Sequence, residues 1–274
     1  MMVTFRRSNH MTKTTDLQKI KLFLDERVAC YNRQEFIETD PIQVPHQFTK
    51  KEDIEIAAFF TATLSWGQRT NIIRNAKRLI EMMDNAPHDF LYYAGDNDLS
   101  RIAQFVHRTF NGDDCLFFIH SLQNIYRNHG GMEHVFNEGF QQEEAIEGTL
   151  QAFRTRFLSI PHEPRVRKHI ADVSANSSAK RLNMFLRWMV RHDENEVDFG
   201  LWKHIPTSAL MLPLDVHTGN VARALGLLTR KQNDWKAVEE VTSILRTFDC
   251  TDPIKYDYAL FGIEAFEGIP FITK

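Results

Sequence analysis

The chain has 274 residues, 43% of them hydrophobic and 25% charged, with a formal net charge of −3; this is the balance of a globular protein able to bury a sizeable core. No apolar run approaches the roughly 18 residues that a membrane-crossing helix needs, so no membrane partner is expected. Three widely spaced cysteines (Cys30, Cys115 and Cys250) form no CxxC pair and exclude a four-cysteine iron–sulfur cluster within the chain, and the twelve histidines form no HxxxH or HExxH pattern, so neither a metal site nor a cofactor is expected.

The opening segment MMVTFRRSNHMTKTTD carries two arginines but no apolar stretch and is not expected to act as a secretory signal. Residues 1–15 are expected to form a flexible tail, with Met11 as an alternative start. The cysteines are expected to be reduced core thiols of a cytoplasmic protein. Helical periodicity then dominates. Leu17, Ile20, Leu24, Val28 and Tyr31 make a first apolar stripe, and the proline-bearing segment 40–48 reads as a loop. Ile72, Ala76, Leu79 and Met83 make a second, and 85–88 reads as another loop. Leu99, Ile102, Ala103, Val106 and Phe110 predict a third helix. Phe118, Ile119, Leu122, Ile125 and Tyr126 predict a fourth, ended at His129-Gly130-Gly131. Leu150, Phe153 and Phe157 follow, stopped by Pro161 and Pro164. Leu182, Phe185, Leu186, Met189 and Val190 form a clear i, i+3, i+4, i+7, i+8 face. Val221, Ala222 and Leu225, then Trp235, Val238, Val241, Thr242 and Leu245, and finally Tyr258, Leu260 and Phe261 complete the set. No long alternating pattern competes, so the fold class is all-α, with helices packed around shared cores. Residues 16–274 are expected to form a single helical unit.

Charge is unevenly placed. Residues 151–191 hold nine basic side chains against two acids, a local +7, whereas 133–147 hold five glutamates and no Lys or Arg. Such a stretch suits a phosphate footprint, or an ordinary solvated helical face.

The most informative stretch runs from 171 to 226. Ser177 and Ser178 are natural N-caps for the helix that follows, which places Lys180 in its first turn. The positive end of the helix dipole disfavours a cation there, and a neutral amine is what Schiff-base chemistry requires. In LPLDVHTGNVARALGL, Asp215 follows a proline and precedes apolar helical spacing, so it is expected as the N-cap of the next helix. A lysine at one helix start paired with an aspartate at another is the candidate catalytic pair. Lys203 in GLWKHIP is a rival nucleophile, expected at the end of a short helix.

The blocks SSAKRLNMFLRWMVR, VDFGLWKHI, LPLDVHTGNVARALGL and DPIKYDYALFGIEAF resemble an uncharacterised bacterial family of conserved hypothetical proteins. Their layout is similar to that of the helix-hairpin-helix DNA glycosylase superfamily, nearest to the archaeal 8-oxoguanine DNA glycosylases. Those enzymes have a lysine opening an apolar helix and a P-x-D segment about three dozen residues later, which Lys180 and Asp215 match. The resemblance implies a two-lobed fold, with lobes of roughly 16–165 and 166–274 sharing a cleft. It implies a monomer that flips a damaged base out of double-stranded DNA and removes it through a lysine Schiff base, with possible lyase cleavage. It implies DNA contacts from Gln68 and Arg69 in ATLSWGQRTNIIRNAKRL, where Trp66 or Gln68 fills the gap left by the flipped base. Further contacts are implied from Ser177, Ser178, Arg181, Arg187, Arg191 and His217. The glycine-bearing hairpin L-P-G-x-G of that superfamily is absent; IADVSANSS stands in its place. A DNA- or RNA-binding module without chemistry, or a helical scaffold without nucleic acid, are the alternative readings.

Overall fold

In the computed structural model, which describes residues 10–268, the chain is all-α. The expected tail at 1–15 falls outside these residues as far as position 9. The helices are α1 (His10–Tyr31), α2 (Glu35–Thr39), α3 (Lys51–Leu64), α4 (Arg69–Met82), α5 (Pro87–Tyr93), α6 (Asp96–Ile102), α7 (Gly112–Asn128), α8 (Met132–Glu143), α9 (Ile146–Phe157), α10 (Lys180–Val190), α11 (Val216–Ala224), α12 (Trp235–Phe248) and α13 (Tyr256–Gly262). A single π turn, Ile263–Glu267, extends α13. Among the described residues no helix is long and apolar enough to cross a membrane.

The apolar stripes account for most of these elements. On α12, Trp235, Val238, Val241, Thr242 and Leu245 are all buried, and Asp234 caps the start by accepting the Ala237 amide. On α10 the five stripe residues are buried together. On α7, Asn111 and Asp114 form a reciprocal capping box. One continuous hydrophobic core runs from Ile20 to Ile263 and takes in both halves of the chain. Its centre is aromatic, with Phe59 against Phe118, Phe153, Phe157 and Phe185. The ends of the described chain meet: α1 lies along α13, and the Tyr256 hydroxyl donates to Asp25 Oδ1 at 2.8 Å.

Three local expectations are corrected. The predicted third helix stops at Ile102, and a short antiparallel ladder pairs Val106–His107 with Phe110–Asn111. Arg108 adopts a positive φ of 57° at its turn, and the Asn75 side chain holds the buried His107 ring at 2.8 Å; a continuing helix allows neither. Val106 is left 56% exposed. The segment 40–48 is two 3-10 turns, Pro41–Gln43 and Pro45–Gln47, each opened by a proline whose missing N–H costs nothing there. Of the cysteines only Cys115 is a core thiol; Cys30 and Cys250 are exposed.

Gly112 lets α7 begin against the end of α6. A Cβ at that position would stand 1.9 Å from the Ala103 carbonyl oxygen. Gly112→Ala is therefore expected to lower stability by about 1–3 kcal/mol, the usual cost of overpacking. Urea denaturation checks this, and an unchanged midpoint would contradict it.

Candidate active site at three helix starts

The starts of α4, α10 and α11 converge on one cavity of about 450 Å³. Each begins in a different way. α10 starts at Lys180 after Ala179, which takes a left-handed φ of 47° and gives no side-chain cap. The two serines expected as caps do other work. Ser177 Oγ accepts the Ala179 amide at 3.3 Å, and the Ser178 carbonyl accepts Asn183 Nδ2 at 3.1 Å. The loop before them is built without glycine. Asp172 Oδ1 accepts from Ser174 Oγ and the Ala175 amide, and Asn176 takes the left-handed turn at φ 64°. Asn176 is then fastened to the start of α12, donating to Asp234 Oδ2 at 3.1 Å and accepting the Trp235 amide. The element before this loop is a 3-10 turn, Pro164–His169.

α11 starts at Asp215. Its Oδ1 accepts from the amides of His217 and Thr218 at 2.9 and 3.0 Å, while Thr218 Oγ1 accepts the Asp215 amide. The cap thus occupies Oδ1 and leaves Oδ2 turned to Lys180 Nζ, 3.8 Å away. Both side chains retain about a quarter of their exposure. α4 starts at Arg69 after Gln68, which gives no cap. The Arg69 guanidinium lies 4.7 Å from the centre of the Phe261 ring and 5.8 Å from that of Phe266, and it makes no ion pair among the described residues. Gln68 is exposed and does not itself line the cavity; Asn71 donates to its Oε1.

Two acids of the lining are buried, Asp40 and Asp257. Asp40 Oδ1 accepts the Ile42 amide at 3.0 Å, and burial raises this carboxyl above its ordinary range. Asp257 accepts from Arg187 Nη1, yet burial still pushes its carboxyl up to about 6. Trp66 forms part of the lining, with the Arg108 guanidinium 4.8 Å over its ring. At the outer edge His217, 64% exposed, meets Glu264 Oε1 at 3.0 Å. Among the described residues no group of three or more His, Cys, Asp or Glu could share a metal ion.

The arginines expected against phosphates are elsewhere. Lys180, Met184, Arg187 and Arg191 follow helical spacing along one face of α10, and that face turns inward. Arg187 and Arg191 are only 4% and 1% exposed. Arg187 Nε donates to Asp198 Oδ1 at 3.2 Å. Arg191 reaches Asp198 at 3.0 Å, Asp252 at 2.9 Å and Asp193 at 2.6 Å. Both guanidinium groups lie over the Tyr258 ring. Arg181 is also turned in and donates to the Thr63 carbonyl at 2.8 Å, tying α10 to α3. Arg154 pairs with Asp172 and Arg165 with Asp114. Within the basic stretch of 151–191, Arg181, Arg187 and Arg191 are therefore turned to internal partners, whereas Arg165, Arg167 and Lys168 remain exposed. Lys203 is exposed in an irregular segment rather than at a helix end, and it does not line the cavity.

Sequence reasoning reached Arg69 on α4 but passed over Asp40, Asp257 and the further basic residues of that helix, Arg74, Lys77 and Arg78, which stand against the single acid Glu81. Asp257 did leave a signal, a charge between two tyrosines at buried positions of an apolar helix.

No curated protein and no solved structure matches the chain. The family model described as "Protein of unknown function (DUF2400)" matches residues 40–266, a span that reaches from Asp40 to the π turn after α13, and the chain belongs to that family.

Proposed function

We propose that the protein is a DNA base-excision glycosylase with lyase activity, acting on double-stranded DNA that carries a damaged base. The observation that carries this reading is the meeting of Lys180 Nζ and the uncapped oxygen of Asp215, 3.8 Å apart, at the mouth of a cavity. Its volume of about 450 Å³ lies in the range of small-molecule sites, and an extruded nucleotide enters it. The order and spacing of the two residues are those of the helix-hairpin-helix glycosylases, and a two-lobed arrangement of that kind is part of the proposal.

The chemistry follows from the pair. Asp215 Oδ2 takes a proton from the Lys180 ammonium and passes it to solvent water, which returns Asp215 to its carboxylate form. The freed Nζ lone pair attacks C1′ of the flipped nucleotide, and the glycosidic bond breaks with its electron pair going to the base. The Asp215 carboxylate stabilises the positive charge that develops on the sugar. Opening of the sugar ring gives an imine on Nζ, and β-elimination then cuts the strand. This sequence needs no cofactor. Arg69 and His217 line the cavity, with Gln68 exposed beside Arg69, where the phosphates on either side of the flipped sugar pass, and the basic residues of α4 extend that contact. Binding of this type weakens steeply with salt.

Borohydride trapping tests the reading, with duplexes carrying 8-oxoguanine, uracil, alkylated bases or an abasic site. A covalent adduct on at least one of them is expected, and Lys203→Ala is expected to trap as much as the wild type. Loss of the adduct in Lys203→Ala would transfer the nucleophile to that residue. One observation favours a second reading, a nucleic-acid-binding module without chemistry. The hairpin before α10 is glycine-free and fastened to α12 through Asn176 and Asp234, so it does not offer the open backbone amides of a phosphate-binding hairpin. That reading predicts salt-dependent binding with no adduct on any duplex.

A further inference from the structure

We propose that Asp257 is the general acid that protonates the departing base, an inference that rests on the glycosylase reading above. Asp257 lies on α13, is 5% exposed, and lines the cavity that Lys180 and Asp215 share. Its Oδ2 accepts from Arg187 Nη1, which fixes the carboxyl in place. Its Oδ1 accepts no hydrogen bond among the described residues. That oxygen is therefore free to carry a proton and to share it with a base held in the cavity.

The charges facing Asp257 come from every wall. Arg187 and Lys180 on α10 oppose its protonation, Asp215 on α11 favours it, and burial is the largest effect. Asp40, Arg69, His217 and Glu264 complete the charged lining. The balance leaves the carboxyl at about 6, within reach of physiological pH. Two carboxyls thus have different surroundings. Asp215 accepts helix amides at the cavity mouth, and Asp257 is enclosed beside a single guanidinium.

The step balances. The Lys180 Nζ lone pair forms the bond to C1′ while the C1′–N bond breaks and its electron pair goes to the base. The Asp257 carboxyl proton passes to the base, which leaves neutral. Asp257 remains as a carboxylate held by Arg187. The proton released from the new secondary ammonium passes to Asp215.

The test compares wild type with Asp257→Asn, which keeps an oxygen for Arg187 but carries no acidic proton. Two rates are measured in single turnover across pH 5–8. One is excision of a neutral base, and the other is borohydride trapping at a preformed abasic site, where no base departs. The ratio of excision to trapping is expected to fall about a hundredfold in Asp257→Asn, the usual worth of a general acid. In the wild type the ratio is expected to fall as pH rises through about 6, because the acid must be protonated; in Asp257→Asn it is expected to be flat. Duplex carrying N7-methylguanine, whose base departs neutral without a proton, is expected to lose far less. An unchanged ratio in Asp257→Asn, with a wild-type ratio flat through pH 6, overturns the role of Asp257 alone. Failure of the wild type to trap even at an abasic site overturns the glycosylase reading and this inference with it. If Asp257→Asn does not fold by circular dichroism, the wild-type pH profile decides.

Discussion

Arg191→Ala is expected to be the most destabilising single change in the region, costing about 3–5 kcal/mol, the loss typical of breaking a buried ion network from one side. Arg191 is 1% exposed and bonds three carboxylates, Asp193 and Asp198 from the segment that follows α10 and Asp252 from far along the chain. Removing the guanidinium leaves Asp198 buried with only Arg187 as partner. Arg191→Lys is expected to recover only part of the loss, since one ammonium cannot reproduce a planar fork that reaches three acids. Denaturant unfolding checks both, and a loss in Arg191→Ala under about 1 kcal/mol would mean that the network contributes like a surface ion pair. The functional consequence is indirect. The same network holds Arg187, and Arg187 positions Asp257 in the cavity. Weakening it is expected to loosen the cavity before the core melts.

The second large effect is on chemistry with stability held nearly constant. Lys180→Ala is expected to form no borohydride adduct at all. Its side chain is about a quarter exposed and outside the core, so its removal should shift stability by no more than about 0.5 kcal/mol. Asp215→Asn separates the two functions of that residue. Asparagine caps a helix as well as aspartate does, so the bonds to the His217 and Thr218 amides survive in kind. It cannot take a proton from Lys180 or balance charge on the sugar. Excision is therefore expected to fall about 10²–10⁴-fold, the range for a general base, with little change in melting temperature. A variant that melted early and cut normally would assign Asp215 a capping role only.

What the sequence displayed and what it hid divide along one line, the distance over which the cause acts. The stripes on α7, α10 and α12 were legible because each repeats within a few turns. The Lys180–Asp215 pair was legible for a related reason, since a helix start is a local event and both residues sit at one. The failures were of two kinds. Local geometry was decided by partners elsewhere: the predicted third helix gave way to a ladder once Asn75 claimed His107, and Ser177 and Ser178 served the loop before α10 rather than its first turn. Charge was misread because its partners were remote. The basic stretch of 151–191 has few acids within it, so it looked like a free face. Asp198, Asp252 and Asp257 then folded back onto Arg187 and Arg191 from beyond its end. Beyond Arg69, the basic residues Arg74, Lys77 and Arg78 on α4 were diluted among apolar ones.

The most direct test of the central claim is to identify the atom that is trapped. The wild-type protein is reduced with borohydride on a lesion or abasic duplex, the DNA is digested away, and the protein is cut with trypsin for mass spectrometry. The prediction is a deoxyribose remnant on Lys180, which blocks cleavage after that residue and yields the peptide 169–181 in place of 169–180. A remnant on Lys203 or on any other lysine, or a fully reactive mixture with no modified peptide, would contradict it.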